Sequence, residues 1–256
     1  MVQADHGAVA QALAQARRSG RPCDAAPFAD SLQEPDAAYA VQALVAHEMH
    51  FTSGAGAWAW KSGGPSREAV LTHAALPPGG LMTSPADARD RRFNIRLIEA
   101  EIALRLGRDV TTEQAAHLPY STAAALVDAM AVSIEIVDSR WQQGVNAPAL
   151  LKLADLQSHG ALVLGAWQPF VARDWSAQTC SVRIGTAAEA AFRGTHSLQD
   201  PAWLLPQWLR HATRAGEAVL AGTVVTTGTW CGMLPAAAGD LVRVRFDAVG
   251  EASVQL

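Results

Sequence analysis

Cysteine is scarce in this chain: Cys23, Cys180 and Cys231 are odd in number and none falls in a C-x-x-C spacing, which excludes a disulfide framework and a zinc or dithiol motif. They read as reduced, small apolar side chains of a cytosolic protein. Basic clusters are missing beyond pairs such as Arg91-Arg92, and the formal net charge is −4, so nothing marks the chain for nucleic acid or an anionic membrane. No apolar run reaches membrane-spanning length, and the start, Met1 to His6, lacks the charged and apolar segments of a leader. A soluble, cytoplasmic protein is expected. Internal repeats, low-complexity tracts and flexible linkers are absent as well.

What is present is an ordinary globular composition: 256 residues, 50% hydrophobic and 17% charged, enough to bury a substantial core. Ala8 to Ala16 and Pro35 to Leu44 have helical spacing, separated by a break from Gly20 to Ala26. Pro35 suits a first helical position. His47 and His50 follow one turn apart and, with no third ligand nearby, read as a polar helix end. Trp58 to Lys61 alternates as a short strand closing on Gly63-Gly64. Residues 65–94 are rich in Pro and Gly without periodicity, which predicts a long loop, and Gly64 to Ser84 a lid. Thr111 to His117 and Ser121 to Met130 read as short helices, each opened by a Ser or Thr cap.

The later chain is mainly β, with strands expected at Thr179–Ile184, Ala187–Phe192, Thr223–Thr227, Leu241–Phe246 and Ser253–Leu256. One helix opens near Asp200-Pro201 and ends before Gly216, with Pro206 expected to kink or delay it. This pattern predicts an α+β chain with a helical N-terminal region over residues 1–55 and a β-rich domain over 56–256.

The run Ile98 to Asp109 organises the rest. If it is a strand, Glu99 and Glu101 point to the same face, and two like charges on a largely buried face repel unless a cation lies between them or they share a proton. A divalent metal is the simplest explanation; a helix start, on which the two acids diverge, is the alternative. Downstream, Glu135 stands between Ile134 and Ile136 in a second apolar strand and also wants a cation. Lys61 reads either as a solvated strand end or as a proton donor or anion clamp, a lysine that an apolar cleft tunes toward neutral pH.

Ile98-Glu99-Ala100-Glu101-Ile102-Ala103, Ile134 to Arg140, Ala154-Asp155 with Val163-Leu164-Gly165, and Ala202-Trp203-Leu204 together resemble the 2-keto-4-pentenoate hydratase branch of the fumarylacetoacetate hydrolase superfamily. The resemblance runs from Ala38 to the Gly239-Asp240 turn. It implies a mixed β-roll core of the fumarylacetoacetate hydrolase C-terminal type behind a small helical region. Glu99, Glu101 and Glu135 match the metal-binding carboxylates, for Mg²⁺ or Mn²⁺, Lys61 matches the active-site lysine, and Thr229 matches a hydroxyl residue near the substrate carboxylate.

The implied reaction is enolate chemistry on a 2-oxo acid, with water added to a 2-hydroxy-2,4-dienoate, in a homo-oligomer that a pathway enzyme can accompany. Decarboxylation and acylpyruvate-type carbon–carbon hydrolysis share the same enolate. Two departures stand out. The acidic Pro-Asp-aromatic-Gly motif expected after the lysine is missing from Gly64 to His73, leaving Glu68 and His73 as candidate substitutes. Leu156 replaces an expected Asn after Asp155, with Gln157 and His159 close by. The missing acid motivates the opposed expectation of a non-catalytic paralogue acting as a partner.

Overall fold

A computed structural model describes residues 6–51 and 54–256. Residues 1–5 of the helical N-terminal reading lie outside the described residues, as do 52 and 53 at the start of the Gly- and Trp-rich stretch. The chain opens with α1 (His6–Ser19) and α2 (Pro35–Glu48), and Pro35 takes the first turn as its fixed φ allows. His47 and His50 lie exposed at the end of α2.

The expected loop over 65–94 is mostly irregular, but three short strands interrupt it. After β1 (Ala59–Gly63) come β2 (Thr72–Ala75), β3 (Leu81–Thr83) and β4 (Ala86–Asp87), each short and at or near a sheet edge. Their order comes from neighbours distant in sequence: β2 pairs with β1, β3 with β7 and β4 with β14. Only Gly64 to Leu71 stays irregular ahead of β2, and it is pinned. Ser197 Oγ donates to the Gly64 carbonyl at 2.8 Å, Arg67 Nε to that of Leu198 at 2.6 Å, and Leu71 N–H to Gln207 Oε1 at 3.1 Å.

β5 (Leu97–Leu106) confirms the strand reading of the Glu99–Glu101 run. Then come α3 (Thr112–Ala116), α4 (Tyr120–Ala123) and β6 (Val127–Val137). α3 carries a capping box between Thr111 and Gln114. The helix expected over Ser121–Met130 is cut short at Leu126, because Val127 onward is drawn into the ladder with β5. α5 (Ala149–Ala154) and β7 (His159–Leu164) follow, then β8 (Gln168–Pro169), β9 (Thr179–Ile184) and β10 (Ala190–Arg193).

Asp200 caps a 3₁₀ turn over Pro201–Leu204 by accepting from Ala202 N–H at 2.8 Å, and α6 (Leu205–Ala212) begins there. Pro206 kinks nothing: it sits in the first turn of α6, where its missing N–H is not needed. β11 (Val224–Thr226), β12 (Leu234–Pro235), β13 (Leu241–Phe246) and β14 (Gly250–Gln255) complete the chain.

Among the described residues the strands form a nine-stranded sheet, ordered β2-β1-β11-β5-β6-β7-β3 with β12 on β5 and β8 on β6, and a five-stranded sheet ordered β10-β9-β13-β14-β4. One apolar core joins them, taking in Ile98, Ala100, Ile102 and Leu104 of β5 and Val242, Val244 and Phe246 of β13. A second core packs Val9 and Leu13 of α1 and Val41 and Val45 of α2 onto Trp141 and Leu151, tying the N-terminal helices to α5. Side chains buried this fully contribute roughly 1.5–3 kcal/mol each.

Candidate active site

Strand alternation decides which side chains meet. Even-numbered residues of β5 enter the core between the sheets, so Glu99 and Glu101 share the opposite face. β6 runs antiparallel to β5 and sets Glu135 directly across from Glu99. One carboxylate oxygen from each of Glu99, Glu101 and Glu135 lies within 4.8 Å of the other two. Lys61 arrives from β1, in register with Thr226 of β11, which is in register with Ala103 of β5, so it faces the same way. Its Nζ lies 2.5 Å from Glu135 Oε1 and 3.2 Å from the Gln157 carbonyl oxygen.

Carboxylates this close and this dry resist ionisation. Burial first, with the neighbouring glutamates adding to it against the pull of Lys61, pushes Glu99 up to about 8 and Glu101 up to about 7. Burial, the largest influence, drives Glu135 the same way, but the Lys61 ammonium and the hydrogen bonds from His159 and Lys61 together outweigh it and hold this carboxyl below its ordinary value. For Lys61 the outcome is the reverse of the sequence expectation. Burial does push it down, yet Glu135, Glu99 and Glu101 together outweigh burial and leave it above its ordinary value, so Nζ is a fully protonated ammonium.

Burial also lowers His159, which is therefore neutral. Its Nδ1 is 3.2 Å from Glu135 Oε1, which fixes the proton on Nδ1. With Lys61 and His159 both on Oε1, Glu135 Oε2 is buried without a hydrogen-bond partner among the described residues. Glu101 Oε2 accepts the Gly228 N–H at 3.1 Å, an approach made where Gly228 has φ of 104°. An all-oxygen donor set with an orphaned carboxylate oxygen fits a hard divalent cation, Mg²⁺ or Mn²⁺.

Lys61, Glu99, Glu101, Gln157 and Thr229 line one cavity of about 850 Å³. Thr229 follows β11, and its hydroxyl is engaged within its own loop, donating to the Gly232 carbonyl at 2.9 Å and accepting from Cys231 N–H at 3.2 Å. Neither candidate substitute for the missing acid reaches the cavity. Glu68 is exposed on the pinned loop, and His73 faces the other side of the sheet, where its Nδ1 meets Ser62 Oγ at 2.9 Å. Burial pushes His73 down to about 3.

Sequence reasoning missed one support, His196, and left two others, Gln157 and His159, without a role. The Gln157 carbonyl holds Lys61, and buried His196 holds the Thr227 carbonyl with Nε2 at 2.7 Å, just before Gly228. His159, noticed only as a neighbour of Asp155, orients Glu135. The one signal available in the sequence was the run of polar residues Gln157-Ser158-His159 after an apolar helix.

The pattern of the family described as fumarylacetoacetate (FAA) hydrolase C-terminal matches residues 72–256. The chain belongs to that family. This family member is 32% identical over 162 residues to 2-keto-4-pentenoate hydratase 1 of Dechloromonas aromatica, covering 61% of this chain and 58% of that hydratase, little more than half its length. It is 29% identical over an alignment of 271 positions to 2-keto-4-pentenoate hydratase 2 of the same organism, covering 96% of this chain and 95% of that one. Its fold matches that of 4-oxalocrotonate decarboxylase from Pseudomonas putida G7, complexed with magnesium and adipate, with a TM-score of 0.82 at 18% identity, covering 100% of this chain and 98% of that one. No helix among the described residues is long and apolar enough to cross a membrane.

Proposed function

We propose that the chain is a divalent-metal-dependent hydratase acting on a 2-hydroxy-2,4-dienoate, the enol of a 2-oxo-4-enoate. The observation that carries this reading is the convergence of Glu99, Glu101 and Glu135 beside Lys61, at the wall of a cavity that Lys61, Glu99 and Glu101 line. The named hydratase relatives support it.

In this reading the three glutamates hold Mg²⁺ or Mn²⁺, which when bound supplies Lewis-acid charge for a substrate's C1 carboxylate and C2 oxygen. Gly228 N–H orients Glu101, and His159 orients Glu135. Lys61 holds a proton at Nζ within reach of the cavity and serves as donor to the substrate. Thr229 contacts the substrate carboxylate, which requires its hydroxyl proton to swing away from the Gly232 carbonyl.

The test is turnover of 2-hydroxypenta-2,4-dienoate with Mg²⁺, followed as loss of the dienol absorbance. Conversion that stops on adding a chelator and returns with Mg²⁺ is expected. No conversion of any 2-oxo acid in a panel selects the non-catalytic partner instead.

A second reading, decarboxylation through the same enolate, is favoured by one observation: neither Glu68 nor His73 lines the cavity. Hydration needs proton transfers to carbon and from water, whereas decarboxylation needs one proton returned to carbon, within the capacity of Lys61 alone. Release of CO₂ or of a shorter acid in the same panel separates these products. A homo-oligomer, checked by light scattering, is the assembly the proposal expects.

A further inference from the structure

The chain contains 20 basic residues other than histidine, and only two of them, Lys61 and Lys152, are lysines. Everywhere else it uses arginine. Both lysines line the same cavity. Lys152 lies on α5, half-buried, and its Nζ donates to the Val145 carbonyl at 2.8 Å. No carboxylate lies within ion-pairing distance of it among the described residues, whereas Lys61 is matched by Glu135. An ammonium carries three donors, so Lys152 has donors to spare, and unlike guanidinium it is a compact point charge.

The charges leave this lysine over. With the site loaded, the three negative charges of Glu99, Glu101 and Glu135 are matched by a divalent cation together with Lys61. The cavity that Lys152 lines has an apolar share of its wall, from Val137, Val145, Leu150, Leu153 and Met233, and Val145 is the residue that Lys152 itself touches. A cation beside such a wall, away from any carboxylate of the protein, calls for an anion from the ligand.

We infer that Lys152 is a specificity-determining residue that binds a second carboxylate at the far end of the substrate, so that the cavity selects dicarboxylic 2-oxo acids with an apolar middle. This deepens the proposed function and rests on its reading of the glutamates as the end that takes the 2-oxo acid group.

The experiment is calorimetric binding to the full chain with Mg²⁺, using three probes. Oxalate can reach only the glutamate end. 2-Oxohexanoate and 2-oxoadipate have the same length and differ only in a terminal methyl against a terminal carboxylate. Wild type is expected to bind 2-oxoadipate about tenfold more tightly than 2-oxohexanoate. In Lys152→Met that preference vanishes, with oxalate and 2-oxohexanoate unchanged, and in Lys152→Arg part of it returns.

Thermal melts check folding, and Lys152→Gln stands in if the Met variant melts early. Equal affinities for the two six-carbon acids in wild type, no binding of 2-oxoadipate, or a preference that survives both Lys152→Met and Lys152→Gln overturns the assignment and leaves Lys152 as a strap on Val145. Oxalate that binds equally with and without Mg²⁺ counts against the metal reading instead, so the two failures are distinct.

Discussion

Glu101 combines three constraints: it is 2% exposed, it faces two other carboxylates, and one of its oxygens is tied to Gly228 N–H. Glu101→Gln keeps the volume and an oxygen for that N–H while removing one charge. Its folded pKa of about 7 lies above the ordinary carboxylate value, so the ionised form destabilises the metal-free fold at pH 8. The variant is therefore expected to melt higher than wild type without metal at pH 8, and to bind Mg²⁺ about tenfold or more weakly, since losing even an outer-shell partner costs that much. Calorimetric titration together with thermal melts checks both; Mg²⁺ affinity equal to wild type would sink the metal reading. The convergence of these carboxylates was legible because a strand's period of two is visible in six residues, and because a lone acid between Ile134 and Ile136 is costly to bury. The groups that hold them were not. His159, Gln157 and His196 act through contacts made only once distant strands have paired, and no local pattern encodes those contacts.

The turn between α5 and β7 is the least regular piece of backbone near the site. Leu156, Gln157 and Ser158 have φ of 53°, 54° and 58° in succession, a left-handed path that costs a residue with a side chain roughly 1–2 kcal/mol. It persists because its start is clamped. Asp155 is wholly buried and accepts from Arg140 N–H at 2.9 Å, Arg140 Nε at 2.6 Å and Arg17 Nη2 at 3.1 Å. The turn's product is the Gln157 carbonyl at Lys61. Asp155→Asn leaves buried Arg140, which keeps Asp138 at 3.6 Å, and half-buried Arg17 one counter-charge short, so a loss of about 3 kcal/mol in urea unfolding is expected. Faster hydrogen exchange at 156–158 than in β6 should accompany it. A loss under about 1 kcal/mol would mean that packing of Leu156, not the ion cluster, holds the turn. Neither this turn nor the strands β2, β3 and β4 could be read ahead. A left-handed run of ordinary residues has no composition of its own, and strands of two to four residues at sheet edges are too short to display a period.

Longer pieces were legible in proportion to their periodicity: β5, β9, β13 and the two N-terminal helices lie where their patterns place them, while β6 begins inside the stretch expected to be helix as far as Met130. How the helices join the sheet was not, since that joint is built from aromatic and histidine side chains far apart in sequence. His211 of α6 stacks 4.2 Å from Tyr39 of α2 and 4.7 Å from His73 of β2, with Trp60 of β1 edge-on at 6.0 Å. Burial, reinforced by His73 and Arg214, pushes His211 down to about 2. The unfolded chain, with an ordinary histidine near pH 6.5, therefore binds a proton that the folded chain refuses. Stability from this group is complete above about pH 6.5 and is lost as the pH falls below it. His211→Phe keeps a ring in the stack and removes the proton site. Because the other titrating groups are common to both proteins, and His73, pushed down to about 3, stays neutral above pH 4.5, the difference between wild type and variant isolates this one group. Plotted against pH, the unfolding free energy of wild type should fall more steeply than that of the variant by roughly 1.4 kcal/mol per pH unit between pH 6 and 4.5. Above pH 7 the two curves should run parallel. Parallel curves down to pH 4.5 would mean that His211 takes up its proton within the folded joint, and that the N-terminal helices are held to the sheet loosely enough to let water reach it.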